Sequence, residues 1–116
     1  MRYLSLFRPA SGLKAPSDPA QMTQMQRLAE RETKAGRLLM TGALLPASQG
    51  KRVRRTAGKV SVLEDAALPA FAEGCGFAIL QARDAADQQT QIEDFLAIAG
   101  DGECIILPLM DVPGPD

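Results

Sequence analysis

The chain of 116 residues has no histidine and no tryptophan, with one tyrosine and four phenylalanines. The missing imidazole is the sharpest exclusion. A Ser-His or Cys-His nucleophile pair, an imidazole general base and a histidine metal ligand all need a side chain that is not there. Acid-base chemistry would fall to carboxylates, Lys, Tyr or Cys. Two cysteines, Cys75 and Cys104, are too few for a metal site without histidine. They read as structural thiols that stay reduced, and no metal or cofactor is expected.

Long apolar runs are also lacking. Nothing approaches the roughly 18 residues of a membrane span. The apolar run between Arg2 and Arg8 is shorter than the about 7–15 residues of a signal-peptide core. The expectation is a cytoplasmic protein with no membrane partner. With 13 basic and 14 acidic residues the net charge is −1, so no global field gathers nucleic acid, and a nucleic-acid partner is not expected. No glycine run qualifies as a phosphate loop, since Thr56-Ala57-Gly58-Lys59 lacks the required glycines and hydroxyl.

What is present fits one domain over residues 1–110, with a frayed tail at 111–116. Arg2 to Phe7 reads as a strand ending before Pro9, followed by a Pro-rich loop to Pro19 of the kind that often carries a lid. Asp18 offers an N-cap and Pro19 a first helical residue, with Met22, Met25, Leu28 and Ala29 on the inner stripe and Gly36 as the stop. Arg37 to Ser48 begins as a strand and turns at Gly42 or Pro46. Lys51–Arg55 and Lys59–Glu64 around Thr56-Ala57-Gly58 predict a β-hairpin. Gly76–Ala82 is a strand, Asp84 caps a helix through Ile98 that Gly100 ends, and Glu103–Leu109 is the last strand.

Strand, helix, strand, hairpin, strand, helix, strand is a split βαβ used twice. It predicts an α+β, ferredoxin-like antiparallel sheet with two helices on one face. Leu4 and Leu6 oppose Tyr3 and Phe7, and Phe77 and Ile79 oppose Ala78 and Leu80. Both faces are apolar, so the uncovered one calls for a second copy and a homodimer packed sheet to sheet.

This order, with Gly36–Pro46, the stretch Gly58-Lys59-Val60-Ser61-Val62, Cys75-Gly76-Phe77 and Glu103–Asp111, resembles the YCII-related proteins over nearly the whole chain. It is most similar to the branch named for a DGPFAETKE signature. That resemblance implies a dimeric α+β barrel. The signature itself is largely replaced. Its Asp falls on Glu64, its Gly on Asp65, its Pro on Ala66 and its Phe on Ala67, and its later Glu, Thr, Lys and Glu fall on Pro69, Ala70, Phe71 and Ala72.

Glu64 and Asp65 are the catalytic candidates, provided a bend at Leu63 directs one of them into a cleft, where burial would raise its pKa. Otherwise they form a solvated turn. Tyr3 and Phe7 are candidates to line the cleft, the other reading of Tyr3 being a ring at the sheet edge with its hydroxyl in water. Arg52 and Arg54 are candidates to hold an anion, against a solvated hairpin guarded by its charges. The expected function is a non-catalytic or degenerate scaffold holding a small anionic organic ligand in a cleft. The alternative is a small-molecule enzyme, isomerase- or lyase-like, in which Glu64 or Asp65 moves a proton on an organic acid or lactone.

Overall fold

The computed structural model describes residues 1–10 and 18–110. The frayed tail and most of the Pro-rich loop, with its reading as a lid, lie outside the described residues. Six strands and two helices follow in the expected order. They are β1 (Arg2–Pro9), α1 (Pro19–Lys34), β2 (Leu38–Leu44), β3 (Lys51–Thr56), β4 (Lys59–Glu64), β5 (Cys75–Gln81), α2 (Ala85–Ala99) and β6 (Gly102–Pro108). No described helix is long and apolar enough to cross a membrane.

The helix ends form as their residues dictate. The Asp18 carboxylate accepts from the Ala20 amide at 2.9 Å with Pro19 opening α1, and Gly36 takes φ 73° just past the C-cap. At α2 the Asp84 side chain accepts from the Asp87 amide at 2.8 Å, and Gly100 ends the helix at φ 92°. The last carbonyls of α2 do not go unpaired, because Gln21 of α1 donates to Ile98 O at 2.9 Å.

Four strands make one sheet in the order β2-β5-β1-β6, every pair antiparallel. With the two helices this is a ferredoxin-like α+β fold. β3 and β4 pair only with each other, as a separate ribbon closed by Ala57 and Gly58 at φ 52° and 80°. Two consecutive positive φ values identify the turn as type I′, whose twist matches the strands it joins.

Most strand limits fall within a residue of expectation; β1 runs on further, and of the two turns open to β2 the structure takes Pro46. β1 continues to Pro9, which lies opposite Gly102 of β6. The approach is so close that a Cβ on Gly102 would stand 2.5 Å from Arg8 O, so glycine is what lets the ladder run on. The chain does not turn at Gly42. It lies inside β2 opposite Phe77, where an added Cβ would be 2.8 Å from the ring Cε1. The turn comes at Pro46, followed by a short 3₁₀ turn over Ala47–Gln49.

The register sorts side chains onto two faces. Tyr3, Ser5 and Phe7 of β1 align with Leu80, Ala78 and Gly76 of β5 and with Pro108, Ile106 and Cys104 of β6. This face receives the helices, and Phe7 meets Phe95 of α2 edge to face at 5.0 Å. Leu4 and Leu6 align with Ile79 and Phe77 and with Leu107 and Ile105 on the opposite face, where Met40 is 57 % and Leu107 is 45 % exposed. Neither α1 nor α2 lies over it, though towards its Cys75 end Leu6 and Cys75 are buried, at 8 and 0 % exposure.

Gly74 joins the ribbon's loop to β5 at φ 83°, and a Cβ there would run into Leu44 O. Gly100 has a similar φ but nothing within 4 Å. Gly74→Ala is expected to lower the urea unfolding free energy by about 2–3 kcal/mol and Gly100→Ala by about 1, because only the first adds a backbone clash to the left-handed strain. Equal effects would show that the clash is relieved by local movement.

Candidate functional site

A cavity of about 220 Å³ lies between the inner face of the sheet and the helices. Its walls are apolar side chains from five elements, chiefly Phe7 of β1, Met25 and Leu28 of α1, Leu38 of β2, Leu80 of β5 and Phe95 of α2. The spacing Met25, Leu28, Ala29, Glu32 places all four on one helical stripe, and all four line the cavity. Its polar side chains are Ser5, Thr41, Gln91 and Glu32.

Three of these four are visibly engaged elsewhere. Thr41 Oγ1 donates to Phe77 O at 3.0 Å. The Gln91 amide accepts from the Tyr3 hydroxyl at 2.7 Å through Oε1 and donates to Gln81 O at 2.9 Å through Nε2. Glu32 is buried and receives Arg37 Nε at 2.7 Å and Arg31 Nη2 at 3.1 Å. No buried side-chain nitrogen or oxygen among the described residues lacks a hydrogen-bond partner. The cavity therefore offers a mostly apolar surface with few polar groups left to recruit.

Beside the cavity sits an ion cluster that ties three elements. Arg37, where β2 begins, reaches Glu32 at the end of α1 and also Asp87 in the first turn of α2, with contacts of 2.8 and 2.9 Å to the two Asp87 oxygens. That fork-to-fork geometry suits a guanidinium and would not be reproduced by lysine. The Arg83 amide adds a bond to Asp87 at 2.9 Å. The Arg37 guanidinium, followed by that amide, holds the Asp87 carboxyl below its ordinary 3.8. The same two carboxylates hold Arg37 above its usual range.

Of the residues singled out in the sequence, Phe7 lines the cavity. Tyr3 does not lie at a sheet edge. β1 is an interior strand, so the ring is fully buried and its hydroxyl is bonded to Gln91 rather than to water. Burial, above the opposing charges around it, pushes the Tyr3 phenol up to about 12. Glu64 and Asp65 are outside the cavity lining, at the root of the ribbon. Asp65 sits at φ 71° with its carboxylate accepting from the Ala67 amide at 2.8 Å and its carbonyl accepting from Arg52 Nε at 3.1 Å, a turn-closing role. Glu64 is exposed opposite Lys51. Arg54 is exposed on the ribbon and Arg52 half-buried there. The structure does not bring these four together with Tyr3 and Phe7.

Glu32, Arg37 and Asp87 were not singled out. One signal was available: a carboxylate seven residues after Met25 on an apolar stripe must find a cation, and Arg37 follows the Gly36 stop directly. Cys75 and Cys104 are free, on opposite faces of the sheet by register. Burial pushes both thiols up, away from thiolate reactivity. Among the described residues no cluster of metal-ligating side chains occurs. No family model matches the chain, and no curated protein matches it.

Two of the shifted groups, Asp87 and Tyr3, act on stability at opposite ends of the pH scale. Asp87, depressed in the fold, contributes stability above about 3.8 that is lost as pH falls through its folded value. Tyr3, raised in the fold, contributes stability below about 10 that is lost as pH rises through about 12. Tyr3 is the one tyrosine and there is no tryptophan, so its ionisation can be followed alone near 295 nm. The native protein should titrate about two units above the urea-unfolded chain, and coincident curves would contradict the buried hydroxyl.

Proposed function

We propose that the chain is a non-catalytic binding protein that holds a small, mostly apolar, uncharged organic molecule between its sheet and helices. Two copies associate through the open sheet face. The observation that carries this reading is the cavity itself. It is about 220 Å³, larger than the roughly 150 Å³ apolar cavity that accepts benzene, so about nine non-hydrogen atoms fit. Among the described residues its one charged lining side chain is Glu32, already ion-paired, and a carboxylate repels the organic anion that Arg52 and Arg54 suggest from sequence. Glu64 and Asp65 stand apart from it, which favours binding over proton transfer.

The homodimer is supported by the second apolar face, where Leu4, Leu6, Phe77, Ile79, Ile105 and Leu107 share one side of three adjacent strands. Leu6 is buried there, Leu4, Phe77, Ile79 and Ile105 are half-buried and Leu107 and Met40 are exposed, and such an apolar patch is a common site of protein association. The resemblance to YCII-related proteins of the DGPFAETKE branch adds to it, since a dimeric α+β barrel stacks two such faces.

Indole, uncharged and of fitting size, tests the cavity, with benzoate as its anionic counterpart. Indole should shift the amide resonances of Leu28, Ala29 and Phe95 saturably, and benzoate should not. Ala29→Leu, which extends the wall into the space, should weaken indole binding by about tenfold, near 1.4 kcal/mol. Benzoate binding at Arg52 and Arg54, or indole shifts unaltered by Ala29→Leu, would remove the cavity as the site.

A further inference from the structure

Among the described residues, neither helix and no strand of the four-stranded sheet packs broadly on the β3–β4 ribbon. Of its 6 and 6 residues, only Arg52 and Leu63 are less than exposed. Its ladder from Lys51↔Glu64 to Thr56↔Lys59 makes a sheet by itself. It is held to the body at its root, where the Asp65 amide donates to Gly50 O and the Ala66 amide to Ala47 O. A two-stranded ribbon alone is at best marginally stable in water and needs a surface to pack on.

The two sides of the ribbon differ. On one, Lys51 faces Glu64, Val53 faces Val62 and Arg55 faces Val60 across the strands, so three valines lie together, between Lys51 and Arg55, at 59, 58 and 66 % exposure for Val53, Val62 and Val60. On the other, Arg52, Arg54 and Thr56 face Leu63, Ser61 and Lys59. Clustered β-branched side chains on one side of a ribbon fit a pleated surface covered by protein. The charges point the same way. Residues 51–64 hold five cations and one carboxylate, which leaves 8 basic and 13 acidic residues in the rest of the 13 and 14. A ribbon of net +4 is thus carried on a chain whose remainder is −5.

We propose that the ribbon is an exchange arm, its Val53, Val60 and Val62 side lying on a second copy of this chain. The proposal rests on the homodimer reading and adds a second contact region to it. In a two-fold dimer each copy gives its arm and receives the other's, so one set of complementary charges is used twice. The positive arm and the negative remainder attract between copies and fix which way the arm lies. A groove of duplex nucleic acid is the competing occupant, but it would favour the side of Arg52, Arg54 and Lys59, which holds three cations and no carboxylate, and leave the valines in water.

The sequence makes a direct test simple, because only Val53, Val60, Val62 and Val112 are valines. Protein carrying carbon-13 in its valine methyls is mixed with unlabelled protein, and isotope-filtered nuclear Overhauser spectra report contacts from labelled valines to the unlabelled copy. The expected result is intermolecular cross-peaks from Val53, Val60 and Val62. In sedimentation, the dimer of the triple variant Val53→Asp, Val60→Asp, Val62→Asp should dissociate at least about tenfold more readily than wild type, with its circular dichroism preserved. A dimer without intermolecular valine cross-peaks, and unaffected by the triple variant, overturns the arm and leaves the homodimer standing. A single-chain mass of 12.4 kDa at all concentrations removes the homodimer and the arm together. Binding of a short DNA duplex at low salt, lost in Arg52→Glu with Arg54→Glu, overturns the assignment in favour of nucleic acid.

Discussion

A four-stranded sheet with apolar side chains on both faces, and only two helices to cover them, is the constraint on which the rest depends. Sheets alternate, so each apolar residue on one face brings a neighbour to the other. The helices settle on the side of Tyr3, Ser5 and Phe7, leaving Leu4, Leu6, Ile79 and Leu107 on the other. Even the covered side is not filled. α1 and α2 touch each other and hold their ends by Arg37 and Gln21, and the space they span over β1 and β5 remains as the cavity. The inward vacancy and the outward face are two results of the same shortage of covering elements.

The polar groups respect that geometry. A buried carboxylate is tolerated at Glu32 because Arg37 meets it, and Arg37 is tolerated because Asp87 completes its fork. Tyr3 supplies a ring to the core and spends its hydroxyl on Gln91, which spends its own amide on the backbone of β5. Each link occupies a donor or acceptor that could have addressed a ligand. What remains facing the cavity is largely carbon.

Much of the fold was legible in the sequence because its punctuation is local. Asp18-Pro19, Gly36, Asp84 and Gly100 act within one turn of themselves, and Ala57-Gly58 closes a hairpin whose strands alternate clearly. Sequence alone does not choose between a turn at Gly42 and one at Pro46, for a long-range reason: Gly42 makes room for Phe77 of another strand, which no local rule reveals. Tyr3 misled because strand order, not strand existence, decides whether a ring is at an edge. The candidate site was less legible still. Glu64, Asp65, Arg52 and Arg54 attract notice as charges near apolar runs, yet three belong to a ribbon separate from the sheet and Asp65 to the turn at its root. The cavity is drawn by Met25, Leu28, Leu80 and Phe95, residues that read as ordinary core from any one element.

The most direct test of this account is a crystal structure of the protein purified without harsh dialysis. Two copies packed through Leu4, Ile79 and Leu107, with density for a small uncharged molecule between Leu28 and Phe95, is the expected result. A lattice that leaves those three residues in solvent, and side chains of α1 and α2 collapsed into the cavity, would contradict it.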